Sequence, residues 1–91
     1  MPKQGIRSIH FTTHFLKSFE KIPSFVQKLA TKKDGWFRSN PFDPRLRSHK
    51  LKGALAGLWA YSINRSYRIL FRFLDGDEVI YYDVGTNEVY Q

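Results

Sequence analysis

Apolar residues near the start of the chain recur at the three- and four-residue spacing of a helix face. They follow Thr12 and Thr13, which are suitable helix-capping residues, so we predict a first helix from Thr13 to Lys21. The apolar positions of this helix are Phe15, Leu16, Phe19 and Ile22. The preceding segment, Ile6 to Phe11, is short and rich in β-forming residues, which predicts an edge strand.

A second amphipathic pattern begins after Pro23, a residue that ends one helix and suits the first turn of the next. Asp34 and Gly35 interrupt this pattern, so the second helix is expected to stop or bend there. Asn40 and Pro41 end helical structure in any case. The two helices are predicted to form an antiparallel hairpin with their aromatic faces inward.

The pattern then changes to alternation of apolar and polar residues, which is typical of β-strands. Gly53 to Gly57 is small and flexible and suits a turn. The predicted strands are Ser48 to Lys52, Leu58 to Asn64, Tyr67 to Leu74 and Glu78 to Val84.

Asp75 and Gly76 suit a two-residue hairpin turn, and such a turn would fix the register of the last two strands. Leu74 would then face Asp77, and one face of the hairpin would be apolar. That predicted core face carries Tyr67, Ile69, Phe71, Ile80, Tyr82 and Val84. The predicted pairs on the other face are Arg72 with Val79, Leu70 with Tyr81, and Arg68 with Asp83.

These elements predict an α+β fold of order β-α-α-β-β-β-β, in which two N-terminal helices cover one face of a mostly antiparallel sheet. With 91 residues, the chain is expected to form a single domain spanning residues 1–91. The opposite face of the sheet, with Arg68 and Arg72, is expected to be basic and either solvated or used for binding.

Composition and charge indicate the cellular compartment of the protein and the class of its partner. The chain has no cysteine, no apolar segment of a signal peptide and no run long enough to span a bilayer, so we expect a cytoplasmic protein without membrane contact. Its net charge is +7, which favours a nucleic acid or an acidic protein as partner over basic residues that merely solubilise the surface.

The candidate chemistry is a metal-independent attack on RNA. Three histidines without ligand spacing and the lack of a Gly-rich phosphate loop give no support for a metal or cofactor. His49 could act as a base, Arg68 could hold a phosphate and Tyr90 could stack a nucleobase. Each has a structural alternative: Arg68 could pair with Asp83, His49 could be a half-buried strand residue, and Tyr90 could only fix the C-terminus.

Four motifs occur in order behind the two amphipathic helices: H-x-L-x-G at His49, G-x-W at Gly57, Y-R-I-x-F at Tyr67 and D-x-G-T-x-x-x-Y at Asp83. In this combination they resemble the RelE/ParE superfamily of bacterial toxins, and most of all its RelE, YafQ and YoeB-like branches. The resemblance covers nearly the whole chain and implies a RelE-like fold with a twisted sheet.

The resemblance also implies a ribosome-dependent endoribonuclease that cuts mRNA in the A site by 2′-OH attack and so inhibits translation. A cognate antitoxin would neutralise it, and contact with DNA would be only indirect, through that antitoxin. The implied catalytic residues are His49, Arg68, Asn87 and Tyr90. The implied RNA-binding residues are Arg47, Lys50, Lys52, Arg65 and Arg72.

The sequence departs from its relatives at two places. Asn87 stands where many of them have a catalytic histidine, and an amide cannot donate a proton as an acid. Trp59 and Tyr61 stand where the RelE branch has catalytic lysines, so the version with His49 as base transfers better. The alternatives are a ParE-like inhibitor of DNA gyrase and a degenerate toxin that only binds its antitoxin.

Overall fold

The computed structural model of this chain describes residues 5–53 and 57–86. The order of helices and strands agrees with the prediction, with one added 3-10 turn. The elements are β1 (Ser8–Phe11), α1 (Thr13–Lys21), α2 (Ser24–Ser39), the 3-10 turn (Pro44–Leu46), β2 (His49–Lys50), β3 (Trp59–Ser62), β4 (Tyr67–Leu74) and β5 (Glu78–Thr86). No helix in these ranges is long and apolar enough to cross a membrane.

The strands form one sheet in the order β1-β5-β4-β3-β2. Neighbouring strands are antiparallel except for β1, which pairs with β5 in parallel, so the prediction of a mostly antiparallel sheet is confirmed. Strand β1 lies at an edge, as its short apolar pattern indicated. The parallel pairing follows from the chain path, because two helices separate β1 from the antiparallel meander.

Local sequence explains where the first helix begins and ends. Thr12 caps α1: its Oγ1 accepts a hydrogen bond from the Phe15 amide at 2.9 Å and donates one to the Tyr82 carbonyl at 2.8 Å. The same threonine therefore starts the helix and ties it to β5. The helix ends at Lys21, and Pro23 takes the N-cap position of α2, one residue before the helix itself.

The helix does not stop at Asp34 and Gly35, one of the two outcomes expected there, since α2 continues to Ser39. The Asp34 carboxylate accepts hydrogen bonds from Arg38 Nε at 2.8 Å and from the Tyr81 hydroxyl at 2.7 Å. These contacts fix the helix to the sheet at the point where glycine weakens it. Asn40 ends α2 directly before Pro41, as predicted.

The main core lies between the helices and one face of the sheet, which we call the inner face. Phe37 of α2 is fully buried and stacks on Tyr61 and against Phe71, with ring centroids 4.8 Å apart in both pairs. Both helices contribute to this cluster, which confirms that they cover one face. Its buried members are Phe15, Ile22, Val26, Ala30, Phe37, Leu46, Tyr61, Ile63, Ile69, Phe71, Val79, Tyr81 and Val84.

The predicted turn between the last two strands is one residue too short. Leu74 pairs with Glu78 rather than Asp77, so the turn contains Asp75, Gly76 and Asp77. Gly76 and Asp77 both have positive φ, of 70° and 65°, which is the left-handed region that glycine and, less often, aspartate adopt in turns.

A bulge shifts the register a second time. Phe71 pairs with Tyr81 and Ile69 pairs with Val84, so β5 has one extra residue between them, Tyr82. The prediction that Ile80 and Tyr82 belong to the core face is therefore wrong, since Val79 and Tyr81 occupy it.

The longer turn and the bulge together change every predicted strand pair on the other face of the hairpin. Arg68 pairs with Gly85, Leu70 with Asp83 and Arg72 with Ile80.

The face opposite the helices, which we call the outer face, carries Arg68 and Arg72 as predicted, but it is not uniformly basic. Leu51, Ala60 and Leu70 form a small buried cluster there. Leu58 and Tyr82 pack against that cluster. Of the two arginines on this face, Arg72 is exposed and Arg68 is partly buried.

Candidate nucleic-acid interface

Three cationic side chains surround Trp36 near the end of α2. The Lys33 ammonium lies 4.3 Å and the Arg45 guanidinium 3.6 Å from the ring centroid, with Lys32 further away at 5.5 Å. Lys33 and Trp36 are three residues apart and therefore share a helix face. The ring attracts each cation and holds it close to the next. Burial, together with the charges of Lys32 and Arg45, lowers the pKa of Lys33.

Asp43 fixes Arg45 in this position. Its carboxylate accepts a hydrogen bond from the Arg45 amide at 2.9 Å and caps the 3-10 turn. It also accepts hydrogen bonds from Arg45 Nε at 3.1 Å and Nη2 at 2.8 Å. The hydrogen bonds from Arg45 lower the pKa of Asp43 to about 2, so it is ionised at neutral pH.

The connection between β3 and β4 places a second arginine. Asn64 Oδ1 accepts hydrogen bonds from the amides of Ser66 at 2.9 Å and Tyr67 at 2.8 Å, which closes a tight loop. Arg68 Nη1 donates to the carbonyls of Asn64 at 2.7 Å and of Arg65 and Tyr67 at 3.1 Å. The loop backbone therefore orients the Arg68 guanidinium.

The structural alternative for Arg68, an ion pair with Asp83, is not formed. The Asp83 carboxylate lies 3.2 Å from His14 Nε2 instead, and it accepts a hydrogen bond from the Val84 amide at 2.8 Å. Within the described residues, Arg68 forms no ion pair, so its charge is not neutralised by a carboxylate there.

These two groups of cations face a common cleft of about 290 Å³, which we call the basic cleft. It lies between α2, the 3-10 turn and the β3–β4 loop. Its lining residues are Lys33, Arg45, Arg47, Ser62, Ile63, Asn64, Arg65 and Arg68. Five of these side chains are cationic and none is acidic, so the cleft attracts polyanions.

A second depression, of about 220 Å³, lies beside α1 and has a different character. Phe11, Phe15, Leu16 and Phe19 contribute to its lining, together with a single carboxylate, Asp34. Since it offers no cation to a phosphate, the basic cleft is the better candidate for a nucleic acid.

No protein-family model and no curated protein sequence matches the chain. Several solved structures are similar to it over nearly their whole length. A chain of the toxin–antitoxin complex RelBE2 from Mycobacterium tuberculosis has a TM-score of 0.76 at 21% identity. The match covers 96% of this chain and 95% of that one. A YoeB/ParE toxin from Agrobacterium tumefaciens gives 0.73 at 17% identity, covering 88% and 98%. YafQ from E. coli gives 0.71 at 13% identity, covering 89% and 93%.

The chain has the RelE-like fold. The resemblance drawn from its motifs is thereby confirmed at the level of the fold. At these identities the neighbours establish the fold alone, and the roles of individual residues depend on where this structure places them.

Three of the residues to which the RelE-like resemblance gave a role, Arg47, Arg65 and Arg68, line the basic cleft. His49 does not line it, although it lies on the same outer face of the sheet as Arg68. His49 pairs with Ala60 and Arg68 pairs with Ser62, so their Cα atoms lie roughly 12 Å apart across β3. The two side chains flank the same short stretch of that strand.

His49 is exposed, and its Nδ1 lies 3.0 Å from the Arg47 carbonyl. The half-buried position considered from the sequence is therefore wrong. Contact with the carbonyl lets Nδ1 carry the proton, which would leave Nε2 as the basic nitrogen.

The remaining candidates of the RelE-like site lie elsewhere. Lys50 pairs with Trp59, which packs against the main core, so alternation places it towards the inner face. Lys52 follows β2 and is exposed, and Arg72 is exposed on β4. Asn87 and Tyr90 lie outside the described residues.

Sequence reasoning missed two cations of the cleft, Lys33 and Arg45, and the ring between them, Trp36. The helical spacing of Lys33 and Trp36 is visible in the sequence, but the approach of Arg45 depends on the chain path after α2. The sequence signal for Lys33 and Trp36 is a lysine three residues before a tryptophan in a predicted amphipathic helix, a spacing that allows a cation–π contact.

The two remaining histidines serve the fold. His10 Nε2 lies 2.8 Å from Glu78, and His14 contacts Asp83. Across residues 5–53 and 57–86, no three potential metal-ligating side chains come together.

Proposed function

We propose that this chain is the toxin of a type II toxin–antitoxin system and that it inhibits translation by cleaving mRNA on the ribosome. The observation that carries the proposal is the basic cleft with Arg68 at its margin, built on a RelE-like fold. A cleft with five cations and no carboxylate among its lining residues suits a phosphodiester backbone.

The proposed reaction is transfer of the scissile phosphate to the neighbouring 2′-oxygen. His49 accepts the proton of the 2′-OH while that oxygen attacks phosphorus. The bond from phosphorus to the 5′-oxygen breaks, which leaves a 2′,3′-cyclic phosphate on one fragment and, after protonation, a 5′-OH on the other. Arg68 stabilises the charge that develops on the phosphate oxygens.

Asn87 and Tyr90 are proposed to position the scissile nucleotide. An amide can donate a hydrogen bond to phosphate but cannot supply the proton for the leaving 5′-oxygen. In this proposal water supplies that proton to the leaving 5′-oxygen.

We also propose a cognate antitoxin as the neutralising partner. The RelE-like chain from M. tuberculosis was solved within a toxin–antitoxin complex, which supports a similar partnership here. An acidic segment that covers the basic cleft would offset much of the +7 charge and keep mRNA away from Arg68.

Expression in a bacterium tests the toxin proposal. We expect the unmodified chain to arrest growth and translation, and the pair His49→Ala with Arg68→Ala to relieve the arrest. Arg68→Ala alone should lower the rate of cleavage by about 10²-fold or more, the usual effect of removing one group that stabilises transition-state charge.

A matched control is Lys17→Ala with Lys28→Ala, which removes two exposed cations from the helices and should remain toxic. Equal toxicity of the His49 and Arg68 pair would contradict the nuclease proposal. Arrest with intact mRNA and a DNA-damage response would instead favour the ParE-like inhibition of DNA gyrase.

A further inference from the structure

The basic cleft has two walls, and the proposed reaction uses only one of them. Arg65 and Arg68 belong to the β3–β4 wall, next to the outer face of the sheet. The other wall comes from α2 and the 3-10 turn and carries Lys33 and Arg45 over Trp36. We call these two cations and the ring the tryptophan wall.

The tryptophan wall is more crowded with positive charge than its own contacts neutralise. Asp43 is the carboxylate that pairs with Arg45, and no other ion pair of Lys33 or Arg45 occurs in residues 5–53 and 57–86. Lys32, Lys33 and Arg45 repel one another across one ring, and that repulsion contributes to the lowered pKa of Lys33. A bound anion would relieve it.

The size of the cleft exceeds what one phosphate group needs. Its volume of about 290 Å³ equals roughly ten waters of about 30 Å³ each, which is several times the space that a phosphate group occupies. A single phosphate held at Arg68 would leave Asp43 as the carboxylate beside Lys33 and Arg45, whereas a strand supplies one further negative charge per nucleotide.

Arg45 also offers a stacking surface. Its guanidinium packs on Trp36 with one face, 3.6 Å from the ring centroid, and its side chain is 58% exposed. The other face of the guanidinium is therefore open to a planar group, and unstacked RNA bases commonly pack on such planes.

We propose that Lys33 and Arg45 bind the phosphate of a nucleotide next to the one held by Arg68, in a single strand of RNA, and that a base of this strand stacks on Arg45. This inference rests on the proposed function for the choice of RNA. It assigns the tryptophan wall to binding of flanking nucleotides and not to the chemical step.

The test is a binding titration with a short, fluorescently labelled, single-stranded RNA carrying 2′-O-methyl groups, which cannot be cleaved by 2′-OH attack. Binding is followed by fluorescence anisotropy between about 50 and 200 mM salt. For Lys33→Gln with Arg45→Gln we expect about tenfold weaker binding at the lower salt. The magnitude of the slope of log K against log salt should fall by about 0.7, since Lys33 and Arg45 share one phosphate and each phosphate contact to a single strand contributes about 0.7.

The matched control is Lys17→Gln with Lys28→Gln, which removes the same charge from exposed positions outside the cleft. It should weaken binding less than about threefold. Lys33→Gln alone, which leaves the cap between Asp43 and Arg45 intact, should give about half of the slope change, and circular dichroism checks that each variant is folded.

Three results would overturn the inference. The Lys33 and Arg45 double variant and the control double variant could lose RNA affinity equally, the Lys33 and Arg45 double variant could bind RNA as well as the unmodified chain, or the unmodified chain could bind no RNA. Failure of the proposed function is a separate result. Suppose the unmodified chain leaves mRNA intact in cells while the Lys33 and Arg45 double variant loses RNA binding. Cleavage is then refuted, and the RNA-binding role of the tryptophan wall is supported.

Discussion

At the scale of single residues, Tyr81 connects the sheet to the helix that carries the tryptophan wall. Its hydroxyl lies 3.0 Å from that of Tyr61 and donates to Asp34 Oδ1 at 2.7 Å, while Arg38 holds the other carboxylate oxygen. Burial is the main cause that raises the pKa of both tyrosines, so both remain neutral hydrogen-bonding groups.

Removing this hydroxyl should destabilise the fold. In Tyr81→Phe, Tyr61 and Asp34 each lose a buried partner, and we expect the free energy of unfolding to fall by about 1–3 kcal/mol. Urea denaturation measures it. Tyr82→Phe on the outer face is the control and should change stability by less than about 0.5 kcal/mol. Equal effects of the two substitutions would show that the network contributes nothing particular.

Residues of the cleft were predictable only where they fall in or next to a sequence motif. Arg68 lies in Y-R-I, and Arg47 and Arg65 lie near the motifs, so they were predicted and do line the cleft. Lys33 and Arg45 lie outside every motif, and a helix, a loop and a 3-10 turn bring them together. Sequence patterns do not report that convergence.

At the scale of elements, ion pairs hold the edge strand β1 on β5. Glu78 accepts a hydrogen bond from Arg7 Nη2 at 2.6 Å, and Glu78 Oε1 lies 2.8 Å from His10 Nε2. The hydrogen bond with His10, followed by the charge of Arg7, holds the pKa of Glu78 below its usual range. A carboxyl with a lowered pKa stabilises the fold above its ordinary pKa and loses that effect as the pH falls through its folded-state pKa.

The melting temperature of Glu78→Gln should therefore lie below that of the unmodified chain at about pH 6, and the gap should shrink at about pH 3. Thermal unfolding followed by circular dichroism at both pH values measures the gap. Glu20→Gln, an exposed change on α1, should show no comparable gap at either pH. A gap for Glu78→Gln that is the same at both pH values would contradict a role for its charge.

Element boundaries were largely predictable, whereas register was not. The bounds of α1 and β4 agree with the prediction residue for residue, because a capping threonine, Pro23 and a clear alternation mark them. The β4–β5 register failed because the turn has one more residue than Asp75-Gly76 indicated, and because a bulge at Tyr82 reverses the alternation. Neither is visible in the apolar pattern, since Val79 to Tyr82 are all apolar or aromatic.

At the scale of the whole molecule, a RelE-like fold places a basic cleft beside the sheet face that carries His49 and Arg68. The net charge of +7 attracts polyanions towards the domain, and the cleft gathers five cationic side chains at one place. The inner face and the helix residues packed on it form the main core. The functional claim depends on the cleft, to which α2 contributes Lys33, and on the outer face next to it.

Primer extension on a reporter mRNA translated in a purified system tests the central claim most directly. With the unmodified chain we expect new 5′ ends within the codon in the ribosomal A site, and a loss of about 10²-fold or more in their appearance with Arg68→Gln. Full-length mRNA with the unmodified chain, or the same cleavage with Arg68→Gln, would contradict the account.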